Sequence, residues 1–150
     1  MRRQDKYPDT EMFSYLNLNP HNRITTDCVF RAIAKALCAG HKHSQKSEKE
    51  MWLTVMKELC EFAGQTGFVP TDTKCYSRFL KMRGFNELPQ PRHSDGTKYT
   101  LKEFINENPK GVYLVNMPSH LTVVVDGVNY DNWDCTKVNS RIGKIWERIK

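Results

Sequence analysis

Residues 120–133 read HLTVVVDGVNYDNW, and this stretch decides the architecture. A β-branched run on each side of Asp126-Gly127 predicts a hairpin, because the tight turn needs positive φ and Asp-Gly tolerates it. LTVVV is almost wholly apolar, so this strand is expected in the middle of a sheet and buried on both faces. With a two-residue turn, Val125 faces Val128, Val123 faces Tyr130, Thr122 faces Asp131 and His120 faces Trp133. Side chains alternate along a strand, so residues 120, 122, 131 and 133 share one face. Asp131 then stands diagonal to His120, and Asn132 points the other way. A bulge at Asn129–Tyr130 would reverse that choice and offer Asn132 or Asp134 to the histidine instead.

Working outward, VYLVN at 112–116 is a second strand candidate. Thr100-Leu-Lys-Glu103 is a capping box that opens a short helix ending at Asn108-Pro109. The segment NELPQPRHSDG, 86–96, reads as a loop. A helix from near Thr73 carries Tyr76, Phe79 and Leu80 and stops at Gly84. Another opens with a capping box at Ser47–Glu50, carries Met51, Trp52, Val55, Met56, Leu59 and Cys60 on one apolar stripe, and closes at Gly64. Residues 27–38 form a helix: Thr25, Thr26 and Asp27 are good caps, Val29, Phe30, Ile33, Ala36 and Leu37 fall at helical spacing, and Gly40 ends the run. At the C-terminus, Ser140 is expected to cap a basic helix with Ile142, Ile145, Trp146 and Ile149 on one face, docked on the body. Helices come first and antiparallel strands follow, which indicates an α+β fold rather than a parallel α/β one. The expectation is one domain over residues 1–150, irregular over 1–23, with N-terminal helices packed on a small antiparallel sheet.

The chain has 150 residues, 39% of them hydrophobic and 11% aromatic, enough for a single core. No apolar run reaches membrane-spanning length, and the N-terminal MRRQDKYPDTEMF lacks the apolar stretch of a secretory signal, so a cytoplasmic protein is expected. The net charge of +6 is spread evenly: residues 1–75 carry 11 Lys/Arg against 9 Asp/Glu, and residues 76–150 carry 12 against 8. That surplus permits nucleic-acid contact without arguing for it.

Five cysteines stand at 28, 38, 60, 75 and 135, with no CxxC pair, so zinc-ribbon and dithiol redox signatures are absent. Most are expected to be small buried apolar residues. Cys28 differs because it lies in the first turn of its helix. Unpaired N–H groups and the helix dipole there stabilise a thiolate and can hold the oxyanion formed when a carbonyl is attacked. The competing reading is a small residue that packs the helix start. Cys75, two positions past the start of its helix, is a weaker rival. His120, at the mouth of a buried strand, supplies a base for Cys28, and Asp131 supplies the group that fixes the imidazole tautomer. Trp133 is placed to wall the site, or else to serve as core. His41-Lys-His43 lacks a third ligand nearby, so no metal or cofactor is expected. His21 and His93 fall in expected loops and should be solvated. Trp52 and the methionine stripe are expected in the core.

The chain order is therefore Cys, His, Asp, with the nucleophile on a helix and the base and its orienter on a hairpin. DCVFRAIAKAL, 27–37, together with HLTVVVDGVNYDNWD, 120–134, resembles the papain-like cysteine peptidase superfamily. Closer still are its small bacterial and phage members and the peptidase domains that trim bacteriocin leaders. The resemblance spans roughly residues 20–135. It implies a papain-like fold and a thiol hydrolase or acyl-transfer enzyme acting on a peptide or isopeptide bond. In that superfamily a polar side chain shortly before the nucleophile, usually Gln, completes the oxyanion hole. Here Asn22, Thr26 or Asp27 would have to serve, and Val29 replaces the tryptophan that customarily follows the cysteine. The partner expected is a peptide or protein substrate. A catalytically inactive module of the same fold that holds a host protein is the alternative, and a nucleic-acid-binding protein is a further one.

Overall fold

The computed structural model describes residues 2–39 and 45–149. The His41-Lys-His43 segment lies outside the described residues. The elements in chain order are α1 (Arg3–Lys6), β1 (Phe13–Tyr15), α2 (Cys28–Cys38), α3 (Gln45–Thr66), α4 (Thr73–Met82), β2 (Phe85–Leu88), α5 (Leu101–Glu107), β3 (Val112–Met117), β4 (His120–Val125), β5 (Val128–Asp131), a single 3₁₀ turn at Cys135–Lys137, and β6 (Ile145–Arg148). The fold is α+β. One six-stranded sheet runs in the order β1-β5-β4-β3-β6-β2.

The hairpin has the expected register: Val125 pairs with Val128 and Val123 with Tyr130. Its turn takes φ of 47° at Asp126 and 79° at Gly127, the positive values that Asp-Gly accommodates. β4 lies inside the sheet, between β5 and β3. Its apolar run is explained by burial on both sides. Leu121 and Val123 pack with α2, α3 and α4, whereas Val124 packs with α5. The capping box at Thr100 is present in full, with the Thr100 hydroxyl accepting from the Glu103 N–H and the Glu103 carboxylate accepting from the Thr100 N–H.

Several expectations are corrected. The C-terminal segment is not a helix but the strand β6, set between β3 and β2. Ile142, Ile145, Trp146 and Ile149 fit a helical stripe, yet Ile145 and Trp146 go to opposite faces of the sheet and Ile149 is exposed. Full burial of two large side chains, worth roughly 2 kcal/mol each, together with two rows of backbone hydrogen bonds, outweighs the helical pattern. The sheet is also mixed rather than purely antiparallel, because β1 runs parallel to β5. Residues 1–23 are consequently not all irregular: β1 contributes the fully buried Phe13.

Residues Asn86–Leu88 belong to β2 and not to a loop, since they pair with β6. α3 is already helical at Gln45, ahead of the expected start at Ser47, and Glu48 is drawn into an ion pair with Lys35 at 2.7 Å. The helix also passes through Gly64 and ends at Thr66, with Gly67 at φ 82° behind it. Val55 and Leu59 are buried as expected, but Met56 and Cys60 face solvent and Trp52 is only half-buried. His93 is not simply solvated: its ring stacks on Tyr99 at 4.4 Å and its Nε2 lies 2.8 Å from Glu103. Among the described residues no helix is long and apolar enough to cross a membrane.

Candidate active site

α2 begins at Cys28, and its first internal hydrogen bond runs from the Arg31 N–H to the Asp27 carbonyl at 3.1 Å. The N–H groups of Cys28, Val29 and Phe30 precede that bond and have no partner within the helix. Across from this helix end, β3 and β4 are joined by the two-residue turn Pro118-Ser119, with Met117 paired to His120. Ser119 takes φ 53°, which closes the turn tightly and starts β4 at His120. Cys28 and His120 therefore line one cleft of about 540 Å³, together with Thr26, Tyr76 and Asn116.

On the other side of the imidazole, His120 Nε2 lies 2.7 Å from Asp131 Oδ2. Thr122 Oγ1 donates to the same oxygen at 2.7 Å, which is the face-sharing expected from the register. With Nε2 occupied, Nδ1 is the ring nitrogen left for proton exchange with a thiol. Trp133 lies against the imidazole, ring centroids 5.0 Å apart, and shields it while staying partly exposed.

The electrostatics separate Cys28 from the other thiols. Burial pushes its pKa up, but hydrogen bonding with His120, a backbone N–H bond from Leu121 and the positive charges of His120 and Arg31 bring it below the ordinary thiol value. Burial instead dominates at Cys38, Cys75 and Cys135, all of which are raised. Cys75, the rival thiol, is fully buried. Desolvation acts against a charged His120, yet hydrogen bonds to Asp131 and Cys28 and their charges raise its pKa to about 9. Asp131 is lowered to about 2, because hydrogen bonding to His120 and the Arg31 charge overcome complete burial. The three groups favour a thiolate, an imidazolium and a carboxylate.

Arg31 carries much of this and was not singled out from the sequence. It is buried, donates to Asp131 Oδ1 at 2.7 Å and also donates to Asp27 Oδ1 at 2.8 Å. The Asp27/Arg31 spacing of four on a helix was the signal available. Cys135 was also missed: its Sγ lies 3.4 Å from Asp131 Oδ2 and packs beneath the carboxylate. His120, Asp131 and Cys135 each offer a metal-ligating atom, all within 4.8 Å of one another. Donors already surround the carboxylate, however, with His120, Thr122 and Cys135 on Oδ2 and Arg31 and the Asn132 N–H on Oδ1. The arrangement suits a hydrogen-bonded anion better than a metal ligand.

The supporting candidates divide. Thr26 lines the cleft with Cys28. Asn22 does not: its side-chain oxygen accepts from Lys49 Nζ at 2.8 Å on the surface. Asp27 sits at the helix N-cap without capping it, because its carboxylate is taken by Arg31, Asn19 and Trp52. An acceptor so occupied cannot stabilise an oxyanion. Of the alternative third members, Asn132 accepts from Arg3 through its backbone carbonyl, and Asp134 caps the 3₁₀ turn through the Thr136 N–H. Neither is hydrogen-bonded to His120.

In comparison with known proteins, no family model, no curated protein and no solved structure matches the chain.

Proposed function

We propose that this protein is a papain-like cysteine hydrolase or acyl-transfer enzyme that acts on an amide bond through Cys28, His120 and Asp131. One observation carries the reading. A thiol with a lowered pKa and an imidazole anchored at 2.7 Å on a buried carboxylate line the same open cleft.

The chemistry follows from these groups. The Cys28 thiolate attacks the carbonyl carbon, and the tetrahedral oxyanion is held by the free N–H groups at the start of α2, with the Thr26 hydroxyl beside them. The His120 imidazolium gives its proton to the departing amine, which breaks the C–N bond and leaves an acyl-enzyme. Neutral His120 then takes a proton from water as it attacks the thioester, and collapse of the adduct breaks the C–S bond and expels the thiolate, which restores the thiolate–imidazolium pair. Asp131 keeps the ring oriented throughout. A protein amine in place of water gives transamidation, and a glutamine side chain as donor gives deamidation, with the same three residues. Five free cysteines suit a reducing, cytoplasmic setting.

The test is an electrophilic peptidyl acyloxymethyl ketone, with adducts located by mass spectrometry. Selective labelling of Cys28 that is lost in His120→Ala supports the enzyme. Equal labelling of all accessible thiols, unchanged by His120→Ala, would instead favour an inactive binding module of the same fold that engages a host protein.

A further inference from the structure

The Cys28 cleft does not end at its own walls. Thr73 and Asn116 line it and also line a second, larger cleft of about 860 Å³. Four cations border that second groove: Lys74, Arg78, Lys98 and Lys144. All four are exposed, and none forms an ion pair among the described residues. Lys74 and Arg78 stand one turn apart on α4, and both lean over the Phe68 ring, at 5.5 and 5.6 Å from its centroid. That contact holds both charged heads over the ring, on side chains that border the groove. The acids in the lining are Asp72 and Glu87, and an oxygen of Asp72 is committed to the Lys74 N–H at the cap of α4.

We propose that this groove receives an acidic segment of a polypeptide substrate, lying next to the bond presented to Cys28. The proposal rests on the thiol-hydrolase reading and supplies its substrate class. Charge complementarity argues for an acidic occupant. The lining argues for a polypeptide over a single-stranded nucleic acid, because among the described residues no aromatic side chain borders the groove to stack a base, and the nearby Phe68 ring is covered by Lys74 and Arg78.

Binding is separated from turnover by using Cys28→Ser and a fluorescein-labelled deca-glutamate peptide, read by anisotropy. The peptide should bind and weaken with salt. Lys74→Glu combined with Arg78→Glu should weaken it by about tenfold or more. Lys102→Glu with Lys110→Glu, exposed positions outside the groove lining, changes net charge equally and should leave binding unchanged. In the unsubstituted chain, the peptide should slow alkylation of Cys28 by iodoacetamide. Equal losses in the two double variants, absence of protection at Cys28, or tighter binding of deca-thymidylate than of the peptide would each overturn the proposal. If no acyl probe ever labels Cys28 while the groove variants behave as stated, the hydrolase reading falls and the acidic-peptide site stands.

Discussion

Asp131 is the residue on which the charges of the site converge. It accepts from His120 and Arg31 at 2.7 Å each while almost wholly buried. Asp131→Asn keeps the shape, removes the charge and leaves Arg31 with Asp27 as its one anionic partner among the described residues. Activity toward an amide or ester substrate should fall on the order of 10²- to 10⁴-fold, since the imidazole loses its orientation and its raised pKa. Urea denaturation should show a loss of about 3 kcal/mol, the cost of a buried charge deprived of a partner.

The same two shifts set a pH profile. His120 is raised from 6.5 to about 9, so its contribution to stability is complete below pH 6.5 and is lost as pH climbs through about 9. Asp131 is lowered from 3.8 to about 2, so its contribution is complete above pH 3.8 and is lost as pH falls through about 2. Thermal melting should therefore show losses at both ends, and His120→Ala should remove the alkaline loss and lessen the acid one, because the His120 hydrogen bond helps to hold the Asp131 pKa down. Much of this centre was legible beforehand. The pairing of His120 with Asp131 follows from an alternation rule and a turn type. The roles of Arg31 and Cys135 were not legible: Arg31 meets the carboxylate from 100 positions away, and Cys135, only four residues on, reaches it through a bend ahead of the 3₁₀ turn that no repeating pattern specifies.

Elements that follow a local rule were readable, and those that depend on a remote partner were not. The α5 capping box and the Asp126-Gly127 hairpin are specified within a few residues, and both stand as read. β6 has a helical pattern of apolar residues but is held by β3 and β2, segments about thirty and sixty positions earlier. β1 is similarly defined by β5. Trp146 shows how much the misread element carries. It is fully buried, and its ring meets Tyr76 edge-on at 5.6 Å. Trp146→Ala should cost about 3–5 kcal/mol in chemical denaturation. Were β6 a peripheral helix with a loosely docked face, the loss would be near 1 kcal/mol.

The molecule as a whole brings together a helix start near residue 28 and a sheet centre near residue 120. α2 packs on the face of β4 that carries Leu121 and Val123, while Arg31 reaches the end of β5. The core thus fixes the distance between thiol and imidazole, and the cleft opens where the two elements end. Charge is distributed to match: the buried centre balances its own ions, and much of the +6 surplus remains on the surface, part of it along the groove beside the cleft.

The most direct test is the pH dependence of Cys28 alkylation by iodoacetamide, in a Cys60→Ser background that removes the exposed competing thiol. The account predicts a Cys28 titration below the ordinary thiol value of 9.0 that moves upward in His120→Ala. A Cys28 that titrates at or above that value, and does so identically with and without His120, would contradict it.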